Sequence, residues 1–243
     1  MALTAFPQGI SSVGVPTIGG GSIPITTGNY WWVNSGTGNT AGPGSVDQPY
    51  STLASLITAA VLAVNDVVII AAGHTETISA AGGITIATVG VQIIGLGEGA
   101  KRPTFTFSAT ASTFIVNAAS VSISNIVGVG SIDQVVSPFS ITAASCTLGT
   151  SGPNGYVEWQ DPSSSLMAVR AVLGTAAADN LTINLKVIGI VSGGTSPVNA
   201  IRLNGTNTGL INIDFYGRAS TAVVEFITVA CTNIEVYGYM YNS

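Results

Sequence analysis

The sequence predicts an all-β chain wound into a right-handed parallel β-helix, with an N-terminal extended arm and a short capping helix. Three observations lead there. Short strands rich in Val, Ile and Thr follow one another from residue 67 to the end of the chain with no further helix-length period. The stretches between them are built from Gly, Asn, Ser and Thr, the residues of turns. Related segments also recur at a spacing too long for tight hairpins, which is the mark of a stacked repeat.

Taken in order, residues 1–28 carry Pro7, Pro16, Pro24 and the Gly19–Gly21 run and hold no sustained period of 2 or 3.6, so they read as an extended arm. The arm is apolar and uncharged, which is not the composition of a disordered tail, and Phe6, Pro7, Ile10, Val13 and Ile18 are its candidate contacts with another surface. Residues 29–243 form one β-helix domain. Tyr30-Trp31-Trp32-Val33 is a first strand, whose adjacent tryptophans point to opposite faces: one toward the core near the capping helix, the other toward a neighbouring subunit. The helix spans about 52–64, capped by Ser51 or Thr52 after Pro49. It is placed to cover the first coil, because an open end of a β-helix exposes core and unpaired backbone.

Five segments carry the repeat. They begin at Phe114, Phe139, Met167, Ala200 and Phe226, which are 25, 28, 33 and 26 residues apart. A unit of this size holding two or three short strands buries its inner face only by stacking on copies of itself. Alternation then sends Ile, Val, Leu and Phe inward and Ser, Thr and Asn outward. An antiparallel sandwich is the rival, but its turns would come more often.

Only 17 of the 243 residues are charged, six basic and eleven acidic, far below the roughly one quarter of an ordinary soluble chain. So little charge on an elongated body points to an obligate oligomer or a docked face. A net charge of −5 with scattered basic residues argues against nucleic acid. The longest apolar run, Leu53 to Ala72, is cut by Asn65 and Asp66, which argues against a membrane span. The first basic residue is Lys101, so no secretion signal is expected. Cys146 and Cys231 are read as occupying equivalent places three coils apart; at ~4.8 Å per coil that is ~14 Å, beyond disulfide reach, so two reduced thiols are expected.

Several stretches resemble a known family: Asn29-Tyr-Trp-Trp-Val-Asn-Ser-Gly, Asp47-Gln-Pro-Tyr-Ser-Thr-Leu, Asn65-Asp-Val-Val-Ile-Ile-Ala-Ala-Gly-His-Thr-Glu-Thr, and Gly90-Val-Gln-Ile-Ile-Gly-Leu-Gly-Glu-Gly followed by Arg102-Pro-Thr. Over Tyr30 to Phe107 these resemble the N-terminal part of pectate-lyase-like β-helix proteins, and more closely a β-helix family of tailed-phage virion proteins. The opening Ala2-Leu-Thr-Ala-Phe-Pro-Gln is similar to the start of such phage proteins. The resemblance covers about the first half of the chain. It implies a head-surface or tail-associated structural protein, commonly trimeric.

The β-helices that the chain resembles include polysaccharide lyases and hydrolases, whose chemistry needs particular side chains. A hydrolase needs two carboxyl groups flanking the bond, about 5 to 9 Å apart. Glu158 and Asp161, beside Tyr156 and Trp159, are the one local acidic pair with sugar-stacking aromatics, and these four are the candidate glycan site. The bland reading of the four is a solvated loop. His74 is the sole histidine, which excludes a multi-histidine metal site, and it reads as a turn residue with local hydrogen bonds. Gly95-Leu-Gly97-Glu-Gly99 lacks the following helix that a phosphate loop needs. No catalytic residue, metal or cofactor is expected.

The leading expectation is therefore a non-enzymatic virion protein, made in the bacterial host cytoplasm. It decorates the outside of a phage head as a homotrimer and cements the shell by contact with the major capsid protein. The alternatives are a tail fibre or tailspike that binds host glycans, and a polysaccharide lyase or hydrolase.

Overall fold

The computed structural model describes residues 10–12 and 15–18 as backbone, and residues 26–152, 154–163, 166–189, 197–205, 208–227 and 231–241. It is a right-handed parallel β-helix of about six turns. Ile10–Ser12 (β1) and Val15–Ile18 (β2) pair with each other as an antiparallel ribbon, with Ile10 opposite Ile18. Phe6, Pro7 and Val13 lie outside the described residues.

The solenoid starts with Tyr30–Val33 (β3), which lies parallel to Val67–Ile70 (β4). On β4 stack Gln92–Gly95 (β7), Ser122–Ser124 (β10) and Thr147–Leu148 (β13). A second column starts at Thr75–Ile78 (β5) and continues through Thr104–Phe107 (β8), Val127–Gly130 (β11) and Val157–Gln160 (β14). The two columns fuse in Leu181–Ile188 (β16), whose first part pairs with β13 and whose second pairs with β14. Gly209–Tyr216 (β18) and Ile234–Tyr241 (β20) continue the fused column, in register over eight residues. The third face is a six-stranded sheet of Ile84–Ile86 (β6), Phe114–Val116 (β9), Phe139–Ile141 (β12), Arg170–Gly174 (β15), Asn199–Leu203 (β17) and Val224–Phe226 (β19).

Alternation works as the sequence implies. Val68, Ile70, Ile93, Phe105, Phe107, Ile123, Leu148, Ile183, Leu185 and Val187 point inward and are buried. Phe114 and Phe139 are partners in one inward column, and Phe107 meets Phe139 edge-on at 5.7 Å. The coil phase differs in places from the recurrence read off the sequence. Val172, not Met167, is the partner of Phe139, Ile201 follows in place of Ala200, and Val224 in place of Phe226. Loops of unequal length precede these strands, so sequence likeness and structural register drift apart.

One turn is the same in nearly every coil. Asn65, Gly90, Ser120, Ser145, Asn180 and Asn233 all adopt positive φ two residues before a first-column strand or one before β16 and β20. Their amides bond upward in series, Asn65 to the carbonyl of Val89 (3.1 Å), Gly90 to Ala119 (3.0 Å), Ser120 to Ala144 (3.1 Å) and Ser145 to Asp179 (2.7 Å). The left-handed region is tolerated best by Gly and Asn, which hold four of these six places, with Ser120 and Ser145 in the other two. At Gly90 space also decides: a Cβ would sit 2.1 Å from Oδ1 of Asn65.

The capping helix (α1) is Leu53–Thr58, shorter than the expected 52–64. Thr52 caps it and forms a reciprocal box with Ser55, while Leu53 and Leu56 are buried against the first coil. It stops because Ala60 turns left-handed and because Asp66 Oδ2 accepts the Ala63 amide at 2.8 Å, pulling the chain into the turn before β4. Trp31 packs against the core and Trp32 occupies the opposite parity, both half-buried. Cys146 and Cys231 are not joined by a disulfide. Their places are not equivalent: Cys146 directly follows the left-handed Ser145, whereas Cys231 precedes the left-handed Asn233 by two residues.

Candidate functional site

Where the first and second columns meet, the wall of the solenoid bends. The chain crosses this bend through a loop at 149–156 in one coil, through residues 125 and 126 alone in the coil before it and without a break in β16, so a groove opens on the outer face beside the loop. Asn125 and Asn184 sit buried at the bend. Asn125 Nδ2 donates to the carbonyls of Gly95 (2.8 Å) and Gly97 (2.9 Å), and Asn184 Nδ2 to that of Gly149 (2.8 Å). Asn212 in the next coil donates to Asn184 Oδ1 at 2.8 Å.

Arg102 fills the floor of the bend. Its Nε donates to Asn125 Oδ1 (2.9 Å), its Nη1 to Glu158 Oε2 (3.0 Å), and its Nη2 to the carbonyls of Ile126 (2.9 Å) and Tyr156 (2.7 Å). The Tyr156 ring covers the guanidinium, with the Arg102 Cζ 4.3 Å from the ring centre. Glu158 also accepts from Gln160 and lies 3.8 Å from Lys186 Nζ. Buried charge is tolerated here because each group is bonded.

Above this floor, β16, β18 and β20 place their outward residues in columns: Asn184, Asn212 and Tyr237; Lys186, Asp214 and Tyr239; Ile188, Tyr216 and Tyr241. Lys186 Nζ stands 5.7 Å from the rings of both Tyr156 and Tyr216, and Tyr216 stacks on Tyr241 at 4.5 Å with the ring planes nearly parallel. Thr150, Tyr156, Lys186, Asp214, Tyr237 and Tyr239 line a cavity of about 220 Å³. Flat phenol faces, hydroxyls and one cation next to one anion can bind a polyhydroxylated ligand by stacking and hydrogen bonds.

The four residues singled out in the sequence are separated by the fold. Tyr156 is on the groove. Glu158 faces the same side but is buried beneath it and held by Arg102 and Lys186. Trp159, of opposite parity, lies in the core edge-on to Phe107 at 5.5 Å. Asp161 lies beyond the end of β14 and is buried, its Oδ1 accepting from Trp159 Nε1 (2.7 Å) and the Ala168 amide (2.9 Å). Burial pushes its carboxyl up to about 6. The two carboxyl groups therefore do not flank one groove. Lys186, Asp214, Tyr237 and Tyr239 escaped the sequence reading, although their shared parity in three alignable strands was the signal.

The other candidate residues are structural ties. His74 Nδ1 accepts the Ser35 amide at 3.0 Å, which puts the ring proton on Nε2, 3.2 Å from Glu76 Oε2. The contacts with Glu76 and of the His74 amide with the Ala71 carbonyl (3.2 Å) are local, whereas Ser35 lies 39 residues away and ties the turn to the first coil. Glu76 accepts the Leu53 (2.7 Å) and Ala54 (2.9 Å) amides at the start of α1. Asp66, fully buried, accepts from the Asn29 amide (2.6 Å) and Trp31 Nε1 (2.7 Å) as well as from Ala63. Among the described residues no cluster of three or more His, Cys, Asp or Glu is arranged to hold a metal ion, and no helix is long and apolar enough to cross a membrane.

No protein-family model matches the chain, and no curated protein matches it. Among solved structures it is similar to a rhamnogalacturonan lyase, with a TM-score of 0.48 and 12% identity over 87% of this chain. The chain spans 62% of the length of that structure. At this identity and score the likeness says nothing about chemistry.

Proposed function

We propose that this chain is a non-enzymatic structural protein of a phage virion, decorating the outside of the head as a homotrimer in contact with the major capsid protein. The supporting observation is the outer face of the six-stranded sheet. Thr85, Ile115, Ser140 and Leu173 follow one another there in register, outward and uncharged, and Arg202 and Glu225 at its end lie 3.7 Å apart. A flat wall of this composition suits burial against symmetry-related copies or a shell. The virion assignment rests on the resemblance of the first half of the chain. Light scattering on the purified protein should give copies in multiples of three, and mixing with undecorated heads should give saturable binding that falls when residues 1–28 are deleted. Monomers that ignore the heads would sink this reading.

A second reading is favoured by one observation, the tyrosine-lined groove: a virion protein that binds host surface glycans, with or without cleavage. Titration calorimetry with host oligosaccharides should then show heat that Tyr239→Ala removes. Release of unsaturated sugars would mark a lyase.

A further inference from the structure

The two ends of the solenoid are unlike. At the N-terminal end α1 lies over the core with Leu53 and Leu56 buried. At the other end nothing among the described residues lies over β20. Its inward residues Val236 and Met240 are 44% and 72% exposed, whereas their partners one coil below, Ile211 and Phe215, are 1% and 2% exposed. Phe226 and Ile227, at the end of the six-stranded sheet, add to the same exposed patch. β20 is also an eight-residue edge, paired with β18 on one side and unpaired on the other among the described residues. Edges that stay in water are guarded by lysine, proline or a bulge. β20 has no Lys or Pro, its only charge is Glu235, and its register with β18 is unbroken.

We propose that this end is an interface with a second copy of the chain, β20 against β20 about a two-fold axis. The occupant must offer a long strand with alternate apolar residues and an uncovered core. Among the described residues the capped end of another copy does not, which argues against head-to-tail stacking, while its β20 end does. Two-fold strands run antiparallel, and directly opposed residues share a face. Only registers that set inward residues against inward residues serve. Centred on Tyr237, Ile234 faces Met240 and Val236 faces Gly238. Centred on Gly238, Val236 faces Met240 and Tyr237 faces Tyr239. Both keep the two Glu235 side chains apart and set each opposite a tyrosine. Val236, Met240, Phe226 and Ile227, each more than 40% exposed, with the outward tyrosines of β20 beside them, supply the apolar surface that such a contact covers. An isologous contact closes at two and makes no fibre.

The inference does not rest on the head-decoration reading. Light scattering and sedimentation on the full chain should show an even number of copies, two, or six if lateral trimers also form. The double variant Val236→Lys/Met240→Lys should halve that number while far-ultraviolet circular dichroism is retained. In a Cys231→Ser background, Tyr237→Cys alone should oxidise to a covalent dimer in the first register; a mixture of Tyr237→Cys and Tyr239→Cys should do so in the second, since opposed Cα atoms lie within disulfide reach. Monomers or trimers alone overturn the proposal, and trimers would leave lateral association standing. An even-numbered particle that the lysines do not halve, or that neither cysteine arrangement cross-links, overturns it equally.

Discussion

Single residues in this protein carry consequences out of proportion to their size. Asp161 is a buried carboxyl raised to about 6, from an ordinary 3.8, by loss of water. A carboxylate raised in the folded state costs stability when it ionises. Its contribution is therefore complete below about pH 4 and is lost as pH rises through 6, by roughly 3 kcal/mol. Asp161→Asn keeps an oxygen for Trp159 and Ala168 and should remove that loss. Urea unfolding at pH 4 and pH 7.5 should show the variant gaining on the parent only at the higher pH; an equal gain at both would contradict the assignment. Gly128 acts through space: a Cβ there would come within 2.9 Å of Trp159 and 3.0 Å of Phe139. Gly128→Ala should cost about 1–3 kcal/mol by overpacking, read as a lowered denaturation midpoint.

At the scale of elements, the cap and the bend are held by buried charges that bond backbone. Glu76 holds two amides of α1 and the His74 ring at once. Glu76→Ala orphans those donors and should destabilise the fold by about 2–3 kcal/mol in urea titration. At the bend, Arg102→Met leaves Glu158 buried near Lys186 alone and strips Asn125 and two carbonyls of their donor. The expected loss is about 3–5 kcal/mol, and the double variant Arg102→Met/Glu158→Leu should recover part of it. A double variant no better than the single one would show that the carbonyls, not the ion pair, dominate. Lysine is no substitute for Arg102, because four separate acceptors need a planar fork.

For the molecule as a whole, the solenoid offers two surfaces of different kinds. The wall of the six-stranded sheet, charged only at its Arg202–Glu225 end along this column, suits lateral neighbours, and the uncovered last coil suits a copy of itself. They make separable predictions, threefold for the wall and twofold for the end, and particle mass distinguishes them. The tyrosine groove lies off the wall but shares Tyr237 and Tyr239 with β20, so Tyr239→Ala should abolish glycan heat without changing lateral assembly.

Much of this was legible in the sequence. Strand alternation, the turn residues and the recurrence determined the parallel β-helix, because an inner face that must be apolar and an outer face that must be wet leave a period of two along each strand. The presence of a capping helix was legible from Pro49, Thr52 and the apolar run behind them. Its length was not, since Asp66 ends it from outside. Glu158 and Asp161 look like neighbours in the chain; only the pleat, with Trp159 turned inward between them, separates a groove floor from a buried strand end. Lys186, Asp214 and Tyr239 stand 28 and 25 residues apart and meet only through stacking. Which residues share a rung depends on loop lengths, and loops are set by the packing of coils rather than by any local code. The tertiary structure alone therefore decided the groove, the ion network and the uncovered end.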